Sequence, residues 1–96
     1  GDVQNEFNTM FGPGTNVTFS ITGMNMNGTQ ISASNVDNIH VLELLHLPTG
    51  TVLEPTTDFT VISENDSTDM VTIVTPTSYT DAFILKVSAD VNGDSV

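Results

Sequence analysis

The chain has 96 residues, which is the size of one domain with a modest hydrophobic core. Twelve acidic residues against one Lys and no Arg give a net charge of −11. We exclude nucleic acid and anionic membranes as partners, because both would be repelled by this surface. The absence of Cys excludes disulfides, thiolate metal sites and cysteine nucleophiles. The apolar runs are too short to cross a membrane, and cations are the natural counter-partners of the charge.

Residues 1–14 are predicted to form a linker that leads into an edge strand. Their acidic, polar start carries no signal-peptide pattern, as in a mature form or an excised module. Val3, Phe7 and Phe11 recur at the even spacing of one strand face. Residues 12–14 (Gly-Pro-Gly) then interrupt the strand, since proline fixes φ and glycine permits positive φ. In a polymer, the same arm could instead be a strand donated to a neighbouring subunit.

The next segments are predicted to be short strands separated by turns. Residues 15–23 alternate apolar and polar side chains and predict a strand. Residues 27–28 (Asn-Gly) predict a tight turn, and residues 30–34 a further short strand. Residues 39–47 contain leucines that would also suit a helix, but their β-branched start and the proline that follows favour a strand. A turn leads from this strand to a short partner at residues 51–54.

The second half of the chain predicts a further hairpin and a final strand. Residues 58–63 and 69–75 flank five polar residues and form the hairpin. Phe59 and Val61 should face the core, opposite either the even-numbered or the odd-numbered side chains of the partner strand. In residues 82–91 the odd-numbered side chains are all apolar, so one face of this strand should be buried.

Seven or eight short strands without helical periodicity predict an immunoglobulin-like antiparallel β-sandwich. Each sheet must bury one face against the other, which explains the alternation of apolar and polar side chains. We assign residues 15–91 to the sandwich, residues 1–14 to an N-terminal linker or edge strand, and residues 92–96 to a C-terminal polar turn.

Two segments carry a family resemblance. Residues 14–26 combine a glycine, a hydrophobic alternation and then Thr-Gly-Met-Asn before an apolar residue. Residues 69–91 contain a strand that ends at a proline before a final strand. These segments resemble the opening and the closing half of bacterial immunoglobulin-like modules of the IPT/TIG family. The resemblance implies a spacer or binding unit in a surface protein, adhesin, fibre or virion appendage, and it assigns no site.

Asp90, Asn92 and Asp94 form the one cluster that suggests chemistry. They place three oxygen ligands at alternate positions around a glycine, which resembles the first half of the Ca²⁺ loops of EF-hands and dockerins. The bidentate carboxylate of those loops has no counterpart after Asp94. A Ca²⁺ site would therefore need completion by another domain or subunit, for which Asp2 and Glu6 are candidates. We favour the alternative interpretation, a polar turn after the last strand.

Three further features suggest other sites. Residues 64–69 form a second acidic cluster at a predicted hairpin tip, where a solvated loop is favoured over a cation site. His40 and His46 should share one strand face at about 20 Å from each other, which is too far apart to bind one metal. Lys86 should be an exposed lysine on the polar face of the last strand, rather than one end of an isopeptide bond to Asn or Asp.

The sequence contains no nucleophile elbow, catalytic-triad context or phosphate-binding glycine loop, so we expect no enzyme. We expect a non-catalytic structural module of an extracellular or virion-surface assembly (a stalk, fibre, tail or surface layer), with neighbouring domains or subunits as partners. We expect that the module requires no cofactor. Ca²⁺ is the one candidate for a bound ion. The alternative is an adhesion module that binds a cell-surface protein or a glycan, although the absence of Trp and the single Tyr offer few rings for stacking on sugars.

Overall fold

The computed structural model describes residues 4–26 and 28–91, which form strands and turns with no α-helix among them. In chain order, the strands are β1 (Gln4–Phe11), β2 (Val17–Ser20), β3 (Asn25–Met26), β4 (Thr29–Gln30), β5 (Val36–His46), β6 (Thr51–Leu53), β7 (Thr60–Asn65), β8 (Met70–Val74) and β9 (Phe83–Val91). One turn of 3-10 helix, Ala33–Asn35, lies between β4 and β5. Across these residues, the structure contains no helix of the length and apolarity that a membrane span needs.

The strands form two main antiparallel sheets. The larger sheet has the order β1-β9-β5-β6, and the smaller has the order β2-β8-β7. β3 and β4 form a separate two-stranded hairpin. The buried faces of the two main sheets share one hydrophobic core. The predicted immunoglobulin-like antiparallel β-sandwich is confirmed.

The core lies where the alternation of the strands places it. The odd-numbered side chains of β9 are at most 3% exposed. In the smaller sheet, Val71 and Ile73 of β8 are fully buried, so the odd-numbered residues of this strand face the core. Phe59 is buried and Val61 packs half-buried against the same core, as predicted. Each fully buried Val, Leu, Ile or Phe side chain among them stabilises the sandwich by about 1.5–3 kcal/mol through removal of its apolar surface from water.

β5 departs from simple alternation at two bulges. Its register with β9 shifts first between Asp37 and His40. A second shift follows between Val41 and Glu43, and each shift adds one residue to β5. One extra residue reverses the face on which the following side chains lie. His40 therefore points outward with its side chain 60% exposed, whereas His46 is buried. The prediction that the two histidines share a face is wrong, because the second bulge lies between them.

The β3–β4 hairpin corrects the strand predicted at residues 30–34. Gly28 has a φ of 81°, which suits the predicted tight turn. The Ile31 N–H still donates to the Met24 carbonyl at 2.8 Å, which continues the hairpin by one residue. The Asn35 N–H then donates to the Ser32 carbonyl at 2.9 Å and closes the 3-10 turn. The strand therefore ends at Gln30.

β1 forms an edge of the larger sheet among the described residues. It pairs with β9 in unbroken antiparallel register, from Gln4 opposite Asp90 to Phe11 opposite Phe83. Because the two strands are adjacent and antiparallel, the start of β1 and the end of β9 lie at the same pole of the sandwich. Anything joined to these two ends therefore meets the sandwich at that pole.

The chain crosses from the larger to the smaller sheet directly after β1. Gly12 and Pro13, which we call the hinge, are both exposed. Gly14 is then fixed to the end of β8: its N–H donates to the Thr75 Oγ1 at 2.9 Å, and its carbonyl accepts from the Thr75 N–H at 3.0 Å. The hinge thus separates β1 from a body that has its own anchor at Gly14.

Candidate functional site

The structure describes only part of the predicted calcium cluster. Asp90 lies near the end of β9, is 4% exposed, and stands directly opposite Gln4 on one side and Asp37 on the other. Asn92 and Asp94 lie outside the described residues. Like charges opposite each other on a sheet repel, so Asp37 and Asp90 disfavour each other at this position. Within the described ranges, no three His, Asp or Glu side chains form a group that could hold a metal ion. The calcium site stays a prediction.

The second acidic cluster fastens one sheet to the other. The Val41 N–H donates to the Glu64 Oε2 at 2.6 Å, and the Ile39 N–H donates to the Asp66 Oδ1 at 2.8 Å. Glu64 and Asp66, which we call the acidic clasp, extend from the end of β7 and the hairpin tip. They accept from β5 where its bulges interrupt the pairing with β9. Residues 64–68 are exposed, as predicted for a solvated loop, and two of the three carboxylates of the cluster also accept hydrogen bonds from a neighbouring strand.

Asp69, the last residue of the second acidic cluster, was predicted to lie in a solvated loop and is instead buried. It is 0% exposed, and its Oδ2 accepts a hydrogen bond from the Thr22 Oγ1 at 2.8 Å. Its own carbonyl accepts from the Ile21 N–H at 3.0 Å, and its φ is 57°, a conformation that Asp tolerates better than most residues. Its position, directly before the most buried strand of the smaller sheet, was the available signal. Asp69 ties the end of β2 to the start of β8.

His46 serves the core rather than a metal. Its Nε2 bonds to the Thr80 carbonyl and its Nδ1 lies 2.7 Å from the Thr49 Oγ1. Because a carbonyl can only accept, the ring carries a proton on Nε2. The ring also packs edge-on against Tyr79 at 4.9 Å and tilted against Phe83 at 5.2 Å. His46 therefore joins the turn after β5 to the segment before β9.

His40 and Lys86 each form one ion pair that is at least partly exposed. The His40 Nδ1 lies 3.6 Å from the Glu64 Oε1, and the Lys86 Nζ lies 3.8 Å from the Glu6 Oε1. The Lys86 side chain is 34% exposed, so the prediction of an exposed lysine holds only in part. Pairs of this kind contribute about 0–1 kcal/mol each. The Lys86 pair adds an electrostatic contact between β1 and β9.

The outer edge of β1 is the strongest candidate for an interaction surface. β1 has eight residues and no register shift, whereas the edge strands β6 and β2 have three and four residues and β7 carries a bulge. Short length and bulges are two ways in which proteins protect an edge against pairing with another chain. Neither protects β1. Within the described ranges, no strand pairs with its outer side.

A shallow cleft of about 310 Å³ lies beside the hinge. The cleft is formed by the two segments that meet at the Gly14–Thr75 anchor. Its lining residues are Pro13, Gly14, Thr15, Thr75, Pro76, Thr77, Tyr79 and Thr80. Two proline rings and one tyrosine ring give it an apolar lining. The cleft therefore adjoins the hinge, two residues after the end of β1.

Fold and site together define an all-β, immunoglobulin-like sandwich with one long unprotected edge strand. Comparisons with protein-family models, with curated proteins and with solved structures find no significant match for the chain. The resemblance to the IPT/TIG family is thus neither supported nor contradicted, and it remains a resemblance.

Proposed function

We propose that the chain is a non-catalytic structural or assembly module of an extracellular or virion-surface protein. The observation that carries this proposal is the use of its ionisable side chains. Glu64, Asp66, Asp69 and His46 are all engaged in hydrogen bonds that hold strands and turns of the sandwich together. These four ionisable side chains therefore stabilise the fold, which supports a structural role.

The two sheets and the unprotected edge support a role in assembly. The sandwich presents β1 as an eight-residue edge strand, with no strand paired to its outer side among the described residues, and a neighbouring domain or subunit can dock there. A net charge of −11 keeps such modules apart in solution until specific contacts form. Neighbouring domains or subunits of the same assembly are therefore the partners we propose.

The location can be tested with an antiserum raised against the chain. Gold-labelled antiserum should decorate the outside of intact cells or particles of the source, with repeated labels along a fibre, tail or layer. Antiserum pre-absorbed with the purified chain is the control. Labelling that appears only after the cells or particles are opened would refute the proposed location.

The hinge-side cleft supports a second candidate, binding of a glycan or receptor protein. Tyr79 and two prolines offer a small apolar platform for one sugar ring. Thr77→Arg would fill the cleft from an exposed position, and Thr57→Arg would add the same charge at an exposed turn elsewhere. A glycan array that detects binding by the unmodified chain and by Thr57→Arg, but not by Thr77→Arg, would favour this second function. An array without any signal would remove it.

A further inference from the structure

We propose that β1 exchanges between copies of this chain, so that the β1 of one copy pairs with the β9 of another. This inference deepens the proposed assembly function and rests on it for its biological setting, but its physical basis is the arrangement of β1, the hinge and the Gly14 anchor. The partner is a second copy of the chain, because β1 is the strand that pairs with this side of β9 in the structure, and every copy carries it.

The contacts of β1 are separable from those of the body. Among the described strands β1 pairs only with β9, and its inward face adds Phe7, which is 7% exposed, and Phe11, which stacks on Phe83 at 6.1 Å. The body begins at Gly14, which bonds to the Thr75 Oγ1 through its N–H and to the Thr75 N–H through its carbonyl, and neither bond involves β1. Removing β1 would open an apolar groove along β9 without dismantling the Gly14 anchor.

The hinge permits β1 to leave. Gly12 has no atom within 4 Å of the position that a side chain would occupy, so the space around it is open. Pro13 biases the residue before it towards an extended conformation. Extended, the eight residues of β1 span about 26 Å, which is enough to lie along the whole of β9 in a neighbouring copy.

Exchange costs little at equilibrium. Every pairing between β1 and β9 forms again between the same residues, so only the hinge conformation and the association of two copies change the free energy. A short linker holds β1 at an effective concentration of the order of millimolar in its own copy. Copies packed in an assembly reach comparable local concentrations, so exchange can occur there. In dilute solution, β1 pairs with the β9 of its own copy. Reciprocal exchange gives closed dimers, and serial exchange gives open chains.

The absence of Cys allows a direct test. Met10 and Ile84 are opposite partners on β1 and β9, and opposite residues on antiparallel strands lie about 4.5–5.5 Å apart, within the range of a disulfide. Full-length Met10→Cys and Ile84→Cys are prepared separately, mixed at about 1 mM, equilibrated below the melting temperature and oxidised. A disulfide between the two variants can form at this register only if β1 has changed copies.

Two controls accompany the mixture. Met10→Cys mixed with Val52→Cys, an exposed position on β6 at the opposite edge, measures random collision. The double variant Met10→Cys/Ile84→Cys, oxidised at micromolar concentration, should close within one chain and so verify the register.

We expect the mixed Met10–Ile84 disulfide to exceed the collision control at least fivefold by intact mass and non-reducing electrophoresis. A yield equal to the control, with the double variant closed within one chain, would overturn strand exchange. Failure of the double variant to close would overturn it too, since the β1–β9 register would then be wrong. Surface labelling by the antiserum is independent of this experiment, so the proposed function can stand if exchange fails.

Discussion

Truncation of either carboxylate of the acidic clasp should destabilise the sandwich more than removal of an exposed carboxylate elsewhere. Glu64→Ala leaves the Val41 N–H without its acceptor, and Asp66→Ala does the same for the Ile39 N–H. Ile39 and Val41 are 1% and 6% exposed, so water reaches these donors poorly. Each truncated carboxylate therefore leaves one poorly hydrated donor unpaired.

The expected loss follows from the strength of the bond and its exposure. A hydrogen bond to a charged acceptor stabilises a protein by about 1.5–3 kcal/mol. The Glu64 side chain is 33% exposed, so water recovers part of this. We therefore expect about 1–2 kcal/mol for each substitution, and at about 4–8 °C per kcal/mol in a domain of this size, a melting temperature lower by roughly 5–15 °C.

Calorimetry and amide hydrogen exchange measure this prediction. Glu64→Gln retains an acceptor and should lose less than Glu64→Ala. Glu54→Ala removes an exposed carboxylate just after β6 and should hold or slightly raise the melting temperature, because it relieves repulsion in a chain of charge −11. Equal melting of Glu64→Ala and Glu54→Ala, with unchanged exchange at the Val41 amide, would refute the role of the clasp.

Four further predictions concern single side chains. Asp69→Ala should lower the free energy of unfolding by about 2–3 kcal/mol in urea denaturation, because it removes a buried acceptor and places Ala at a positive φ. Asp69→Asn keeps a side-chain acceptor and a residue that tolerates positive φ, so it should cost less than about 1 kcal/mol. Equal losses would contradict this account. Phe7→Ala should cost about 3 kcal/mol, as expected for a buried aromatic ring, and Met10→Ala on the exposed face of β1 less than about 0.5 kcal/mol; similar losses would mean that β1 is not seated on the core. Nitrogen-15 spectra of the neutral His46 ring should show the proton on Nε2, and a proton on Nδ1 alone would contradict the bond to a carbonyl. If Asp90 and its neighbours bind Ca²⁺, millimolar Ca²⁺ should raise the melting temperature of the unmodified chain but not of Asp90→Asn; an unchanged melting temperature would remove the calcium prediction.

The sequence predicts those elements whose burial alternates with every residue. In β8, and in β9 from Phe83 to Val87, buried apolar side chains alternate with less buried ones, so the pattern specifies both the strand and its buried face. Beyond Val87, Ser88 and Asp90 are buried as well, which the alternation does not predict. The Asn-Gly turn and the prolines likewise mark local backbone conformations that do not depend on distant residues.

The bulges of β5 could not be predicted from the alternation of apolar and polar residues. Residues 42–45 are Leu-Glu-Leu-Leu, in which apolar and polar side chains do not alternate regularly. An inserted residue therefore cannot be recognised as a break in the alternation. A bulge depends on the register of a partner strand, which sequence patterns do not contain. The roles of Glu64, Asp66 and Asp69 were missed for the same reason, because their donors lie 23, 27 and 47 residues away.

The shared pole of the two described chain ends has a mechanical consequence. Tension applied between the start of β1 and the end of β9 pulls two adjacent antiparallel strands apart from one end, so their hydrogen bonds are loaded one after another rather than all together. The hydrogen bonds between β1 and β9 then break sequentially at low force, beginning at the pair of Gln4 and Asp90. The opening can proceed to Phe11, where the Gly14–Thr75 anchor takes up the load. A stretched module would therefore yield one strand and keep the rest of its sandwich intact.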